Sequence, residues 1–219
     1  FSKFYNVKYS NAVANASLGL ELSLHSLNLS KDSEVLVTPR SYFSSVSCVE
    51  RVGLKPVFVD IDLKSMNISP KYIEQSITKK TRAIICVHLY GMPCDMKEIK
   101  KISNKYNLRI IEDCSQAHGS KIGKKYVGSF GDIAVFSFCQ DKIISTGGEG
   151  GMIVTNNKKL YENIWSLKDI GKNKKKYFTV SKDLNKFPYL HDSIGTNARI
   201  TEIQSCIGNY QLKHLKSYI

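Results

Sequence analysis

The sequence predicts one three-layer α/β/α domain built on a mostly parallel, mixed sheet. Three observations carry this expectation. β-Branched apolar runs alternate with helical segments of about 10–15 residues, the pattern of βαβ units. The strand runs are apolar nearly throughout, as strands are when helices cover both faces of a sheet. The connection from Phe138 to Gly151 is short and Gly-rich, with no room for a crossover helix, so its two strands are antiparallel neighbours.

The elements follow in order. Ala16 to Leu29 carries Leu18, Leu20, Leu22, Leu24 and Leu27 and reads as a strongly apolar helix, with Asn15 or Ser17 able to cap its start. Glu34 to Pro39 is a short buried strand ended by proline. A helix over Ser44 to Val52 leads through Gly53 to a strand over Pro56 to Asp60. Strands Ala83 to His88 and Leu108 to Asp113 bracket a helix near Met96 to Tyr106, and Ile133 to Phe138 and Gly151 to Thr155 complete the set. The chain ends at His214 to Ile219 within a helical pattern, and it begins Phe1-Ser2-Lys3, without an initiator Met or an apolar signal core; both ends read as cut.

Composition narrows the class. The 219 residues suffice for one large domain, and 42% hydrophobic with 23% charged residues is ordinary globular usage. No run of about 18 uncharged apolar residues occurs, so no membrane span is expected. The six cysteines are scattered without a C-x-x-C pair, which suits buried thiols in a reducing cytoplasm and neither a disulfide framework nor a metal site. A net charge of +13 raises nucleic-acid binding, but the lysines are dispersed and interleaved with acids. The densest group, Lys172, Lys174, Lys175 and Lys176, reads as a solvated loop. Excess positive charge favours an anionic small molecule instead.

In such sheets ligands bind beyond the carboxyl ends of the strands. Candidate residues stand there: Asp113 and Gln116 after one strand, Ser137 and Lys142 after another, and the segment Thr38 to Phe43 after a third, with Ala16 and Ser17 at a helix start. A pyridoxal phosphate site needs a lysine, an acid for the ring nitrogen, a flat group against the ring and a phosphate cradle, all of which this chain supplies. Residue by residue the alternatives stay open. On spacing alone Lys142 reads as a surface lysine before a hairpin turn, Asp113 equally as a capping or salt-bridged acid, and Ser17 as an ordinary N-cap. Strand alternation sends Glu112 to the face opposite Asp113.

The strings Ile111-Glu112-Asp113-Cys114-Ser115-Gln116-Ala117-His118-Gly119 and Phe136-Ser137-Phe138-x-x-x-Lys142-x-x-x-Thr146-Gly147-Gly148-Glu149-Gly150-Gly151 resemble the DegT/DnrJ/EryC1/StrS family of sugar aminotransferases. So do Gly195-Thr196-Asn197-x-Arg199-Ile200-Thr201-Glu202-x-Gln204 and, with Ala for Gly and Ser for Thr, Asn15-Ala16-Ser17. These motifs run in family order from about residue 9 to the chain's end. The resemblance implies the large domain of a fold type I (aspartate aminotransferase-like) pyridoxal phosphate enzyme, spanning residues 1–219, with an N-terminal entry segment before it and a small C-terminal domain after it. A fragment lacking them is expected to be poorly active.

The resemblance also implies roles. Lys142 would be the Schiff-base lysine and Asp113 the partner of the pyridine nitrogen. Gln116 would lie beside the ring and Phe43 would stack on it. Ala16, Ser17 and Ser137 would contact the phosphate. Asn197 would reach the neighbouring subunit's phosphate in a homodimer with shared sites. The implied reaction moves an amino group from a donor such as glutamate to a nucleotide-linked keto sugar, in cytoplasmic amino-sugar or cell-surface polysaccharide synthesis. A dehydratase of the family would carry histidine in place of Lys142, and a non-catalytic regulatory member need not keep Lys142, Asp113 and Gln116 together. His88, Tyr90 and the 172–190 segment are candidates for the sugar side, His88 being equally a structural strand-end histidine.

Overall fold

The computed structural model describes residues 1–180 and 190–219. Its strands are β1 (Tyr9–Val13), β2 (Glu34–Val37), β3 (Lys55–Phe58), β4 (Thr81–Val87), β5 (Arg109–Asp113), the short pair β6 (Lys121–Ile122) and β7 (Lys125–Tyr126), β8 (Ile133–Ser137) and β9 (Gly151–Thr155). Its helices are α1 (Ser2–Tyr5), α2 (Ala16–Ser26), α3 (Ser44–Arg51), α4 (Pro70–Ser76), α5 (Met96–Tyr106), α6 (Lys158–Lys168), α7 (Lys174–Val180) and α8 (Glu202–Tyr218). Seven strands form one sheet in the order β1-β9-β8-β5-β4-β2-β3, and β6 pairs with β7 apart from it. From β3 to β8 neighbours are parallel; β9 runs antiparallel to both β8 and β1, as the short Gly-rich connection requires.

Alternation along the strands divides the core into layers. Val35, Val37, Ile85, Ile111, Val135 and Ile153 face α2, α3 and α6, packing on Leu20, Leu24, Val49 and Ile164. Their neighbours Leu36, Ile84, Cys86 and Ile110 face α4 and α5, on Ile73, Met96 and Ile99. Ala134, Phe136 and Val154 continue that second face under Tyr5 and Leu215. Each such large apolar side chain contributes about 1.5–3 kcal/mol by leaving water. The three-layer α/β/α expectation is the observed architecture. Among the described residues no helix is long and apolar enough to cross a membrane.

The sequence reading leaves β1, α4 and α6 unassigned, and the structure shows why. In β1 only Asn11 and Val13 are buried, and the strand is held by its ladder to β9. α4 buries only Ile73, and α6 fully buries only Ile164. The lysine cluster expected in a loop lies partly in α7 instead. Asn173 accepts the Lys176 N–H at the start of that helix, and Tyr177 and Phe178 pack their rings against Trp165 of α6. Aromatic anchors immediately after Lys176 thus order a run that its charge alone would leave solvated. Of the 172–190 segment considered for the sugar side, residues 181–189 lie outside the described residues.

Candidate active site

Parallel strands that all point the same way bring their carboxyl ends to one edge, and a cavity of about 640 Å³ opens there. Asp113 closes β5 on the face that carries α2 and α3, and it is only 4% exposed. Its Oδ2 accepts the Ser45 hydroxyl at 2.8 Å and its Oδ1 accepts the Ser115 N–H at 3.1 Å. The Ser41 and Ser45 hydroxyls are 2.7 Å apart.

The opposite wall is the start of α2. Asn15, not Ser17, caps the helix: its side chain accepts the Leu18 N–H at 2.9 Å. Ser17 is thereby left free of the capping role, and its hydroxyl lies 2.7 Å from that of Ser44 on α3. The first N–H groups of a helix lack intrahelical acceptors, so Ala16 and Ser17 present donors where the helix dipole favours an anion. Gly151 allows this turn to sit against β9, since a Cβ there would lie 2.8 Å from the Asn15 carbonyl carbon. The Ala14 N–H donates to the Ala198 carbonyl at 2.8 Å, which ties the Gly195–Gln204 motif to the same turn.

Ser137 ends β8 on the Asp113 face, buried, its Oγ accepting the Cys139 N–H at 3.3 Å. The chain then turns tightly, the Lys142 N–H returning to the Cys139 carbonyl at 3.0 Å. Lys142 lines the cavity with its side chain 18% exposed, and Nζ donates to Asp141 Oδ2 at 2.9 Å. That hydrogen bond holds the Asp141 carboxyl below the usual range. Lys142 is therefore a cavity lysine and not a freely solvated one. The glycine-rich run beyond it uses positive φ at Gly147 (80°), a conformation glycine adopts without strain.

Gln116 lies on the cavity wall, and its Oε1 accepts the Tyr90 N–H at 2.8 Å. Six of the expected residues thus converge on one cavity: Ala16, Ser17, Asp113, Gln116, Ser137 and Lys142. Two do not. Phe43 is the N-cap residue of α3 and is 77% exposed outside the cavity, whereas Tyr42, 73% exposed, lines it. The aromatic at the cavity rim is thus Tyr42, one position before the α3 N-cap residue. Asn197 is exposed and lies outside the cavity, with its backbone bridged to Asp169. Ser41, from the Thr38–Phe43 candidate segment, also lines the cavity, together with Ser44 and Ser45, which sequence reasoning missed; hydroxyls just beyond a strand's carboxyl end were the available signal.

His88 is not a sugar-side residue. It is fully buried on the other sheet face, where Nδ1 accepts the Cys94 N–H at 3.0 Å, which places its proton on Nε2, 3.0 Å from Glu112 Oε2. Glu112 also accepts the N–H groups of Gly128, Phe130 and Gly131 at 2.6–2.8 Å. Burial alone would raise its carboxyl; the His88 ring and those N–H groups outweigh this and leave it below the usual range. Ligating atoms of His88, Glu112 and Cys114 lie within 4.8 Å of one another, but the His88 nitrogens and both Glu112 oxygens are already engaged. His118, also buried, finds no hydrogen-bond partner for either ring nitrogen among the described residues. Burial, with the nearby Lys142 charge as a smaller cause, pushes it down to about 4.

The cavity meets the demands of pyridoxal phosphate. Its volume is in the range of small-molecule sites, about 300–1,000 Å³. Ser17, Ser137 and the α2 N-terminus offer hydroxyl and N–H donors that suit an anion, Asp113 is a buried acceptor with unused lone pairs, and Lys142 is a shielded amine.

Comparison with known proteins agrees. A model of the DegT/DnrJ/EryC1/StrS aminotransferase family matches residues 1–219. The chain is 43% identical to GDP-perosamine synthase of Escherichia coli O157:H7, over 100% of this chain and 57% of that protein. It is 39% identical to dTDP-3-amino-3,6-dideoxy-alpha-D-galactopyranose transaminase of Aneurinibacillus thermoaerophilus, over 98% of this chain and 56% of that one. It thus spans a little over half the length of these relatives. A solved aminotransferase from Psychrobacter cryohalolentis superimposes with a TM-score of 0.96 at 43% identity, covering 99% of this chain and 55% of the other. The chain belongs to the DegT/DnrJ/EryC1/StrS aminotransferase family, whose cofactor is pyridoxal phosphate.

Proposed function

We propose that residues 1–219 are the cofactor-binding large domain of a cytoplasmic sugar aminotransferase that moves an amino group from glutamate to a nucleotide-linked keto sugar for cell-surface polysaccharide synthesis. The observation that carries this reading is the convergence of Lys142, Asp113, Gln116, Ser17 and Ser137 on one cavity at the strand ends. Relatives named for GDP- and dTDP-linked amino sugars support the substrate class.

Bound pyridoxal phosphate supplies an electron sink for negative charge at the carbon next to the transferred nitrogen. The chain's own residues do the rest. Lys142 Nζ would hold the cofactor and, when free, would act as the base that carries the proton amino transfer has to move. Asp113 would pair with the ring nitrogen and hold its proton. Ser17, Ser137 and the α2 N–H groups would hold the phosphate, and Gln116 would lie beside the ring. In this reading the exposed Asn197 serves the phosphate site of a second copy in a homodimer.

The test is the visible absorption of the complete protein with pyridoxal phosphate, then borohydride reduction and peptide mapping. A yellow band that becomes a stable adduct on Lys142 is expected. No band, or an adduct on another lysine, overturns the reading. Amino transfer from glutamate to a panel of nucleotide-linked keto sugars then checks the substrate class.

A further inference from the structure

We infer that Ser45 is a positioning residue for Asp113, and that Ser41 in turn orients Ser45, so that two hydroxyls from the start of α3 set how the carboxylate meets the cofactor ring. The inference rests on the assignment of Asp113 proposed above.

The direction of the chain of hydrogen bonds follows from counting protons. An ionised carboxylate only accepts, so the 2.8 Å contact at Oδ2 takes the single hydroxyl proton of Ser45. Ser45 then has only lone pairs to offer, and the 2.7 Å contact with Ser41 must use the proton of Ser41. The arrangement therefore runs one way, from Ser41 to Ser45 to Asp113, while Asp113 is ionised. A protonated Asp113 would allow it to reverse. The Ser115 N–H takes one lone pair of the other oxygen at 3.1 Å. With the Ser45 hydroxyl on one oxygen and the Ser115 N–H on the other, the carboxylate plane is set and each oxygen keeps a lone pair for the ring N–H.

Ser45 suits this role because it is itself immobile. It is 1% exposed, the second residue of the eight-residue α3, and its carbonyl receives the Cys48 thiol one turn on at 3.5 Å. That contact commits the Cys48 S–H to the Ser45 carbonyl, so the thiol does not compete with Ser45 for the carboxylate. The adjacent Ser44 reaches Ser17 at 2.7 Å. Consecutive residues of one helical turn thus address the two ends of the cavity, Ser44 the phosphate cradle and Ser45 the acid. The first turn of α3 sets the register between them.

The test measures pyridoxal phosphate dissociation constants and the pH dependence of the bound-cofactor absorption band in the complete protein. Ser45→Ala is expected to weaken cofactor binding about tenfold, the size of one lost hydrogen bond to a charged group, and to move the pH midpoint of the band. Ser45→Thr, which keeps the hydroxyl, should stay within about twofold of wild type. Ser41→Ala should cost about threefold alone and nothing further in the Ser45→Ala background, because coupled groups fail to add. Wild-type affinity and an unmoved band in Ser45→Ala overturn the inference, and additive losses overturn the role of Ser41. Should Ser45→Ala fail to fold, Ser41→Ala decides: an unmoved affinity and band overturn the chain. A wild-type protein that forms no adduct on Lys142 sinks the proposed function instead, so the two failures are told apart.

Discussion

Glu112 and Asp113 are adjacent carboxylates on one strand, and they differ in almost everything except chemistry. Glu112 faces the α5 side, fully enclosed, with its oxygens taken by the His88 ring and three loop N–H groups. Asp113 faces the α2 and α3 side, takes one donor on each oxygen and borders the cavity. The saturated acid braces the fold, because a buried charge is tolerated only when its lone pairs are filled. The undersaturated acid is the one with capacity left for a ligand. What separates a structural carboxylate from a functional one here is the number of hydrogen bonds still unmade.

Substitution can break that contrast. Glu112→Ala should destabilise the protein by about 3–5 kcal/mol, since it strands His88 and three N–H groups without an acceptor. For a domain of this size that lowers Tm by roughly 10 °C or more in thermal unfolding. Asp113→Asn should change stability by less than about 1 kcal/mol and abolish amino transfer. Equal losses of stability in the two variants would contradict the division of roles.

Acid should probe the buried groups on the Glu112 side of the sheet. A folded value of about 4 for His118 means that the unfolded chain binds the proton first as pH falls below about 6.5. The stability present above that point is lost progressively down to about pH 4, by roughly 3 kcal/mol. The depressed carboxyl of Glu112 adds a second loss, which begins as pH falls through the ordinary carboxylate range and continues through its lower folded value. Urea unfolding between pH 8 and 3.5 should show both windows, with His118→Leu removing the first and Glu112→Gln the second.

At the cavity, Ser17→Ala should weaken pyridoxal phosphate binding about tenfold, the size of one hydrogen bond to a phosphate, while leaving Tm nearly unchanged because Asn15 keeps the cap. Smaller still, Tyr42→Ala should cost a few-fold in cofactor or substrate affinity, and Phe43→Ala should cost none. A larger loss from Phe43→Ala would restore the sequence-based placement of the stacking aromatic.

Much of this site was legible in advance, and particular residues show why. β5 and β8 are apolar runs whose period puts Asp113 and Ser137 at carboxyl ends on one face, and Glu112 on the other, so alternation alone predicted the contrast. The short Gly-rich connection to β9 required the antiparallel pair. Phe43 lies outside the cavity and Tyr42 lines it, because a one-residue offset at a helix start reverses which side chain looks into the cavity. His88 was ambiguous because its partners, Glu112 and Cys94, meet it only in the folded sheet.

The sequence by itself determined which chemical groups stand at the strand ends, since side-chain period and turn residues are local properties of the chain. Only the tertiary structure decided that Ser45 would reach Asp113 across 68 residues, that Ser44 would meet Ser17, and that Asn15 would cap α2 in place of Ser17. A hydrogen bond demands its partners within about 3 Å. At that scale the outcome depends on strand order and on the seat of each helix, which no local pattern encodes.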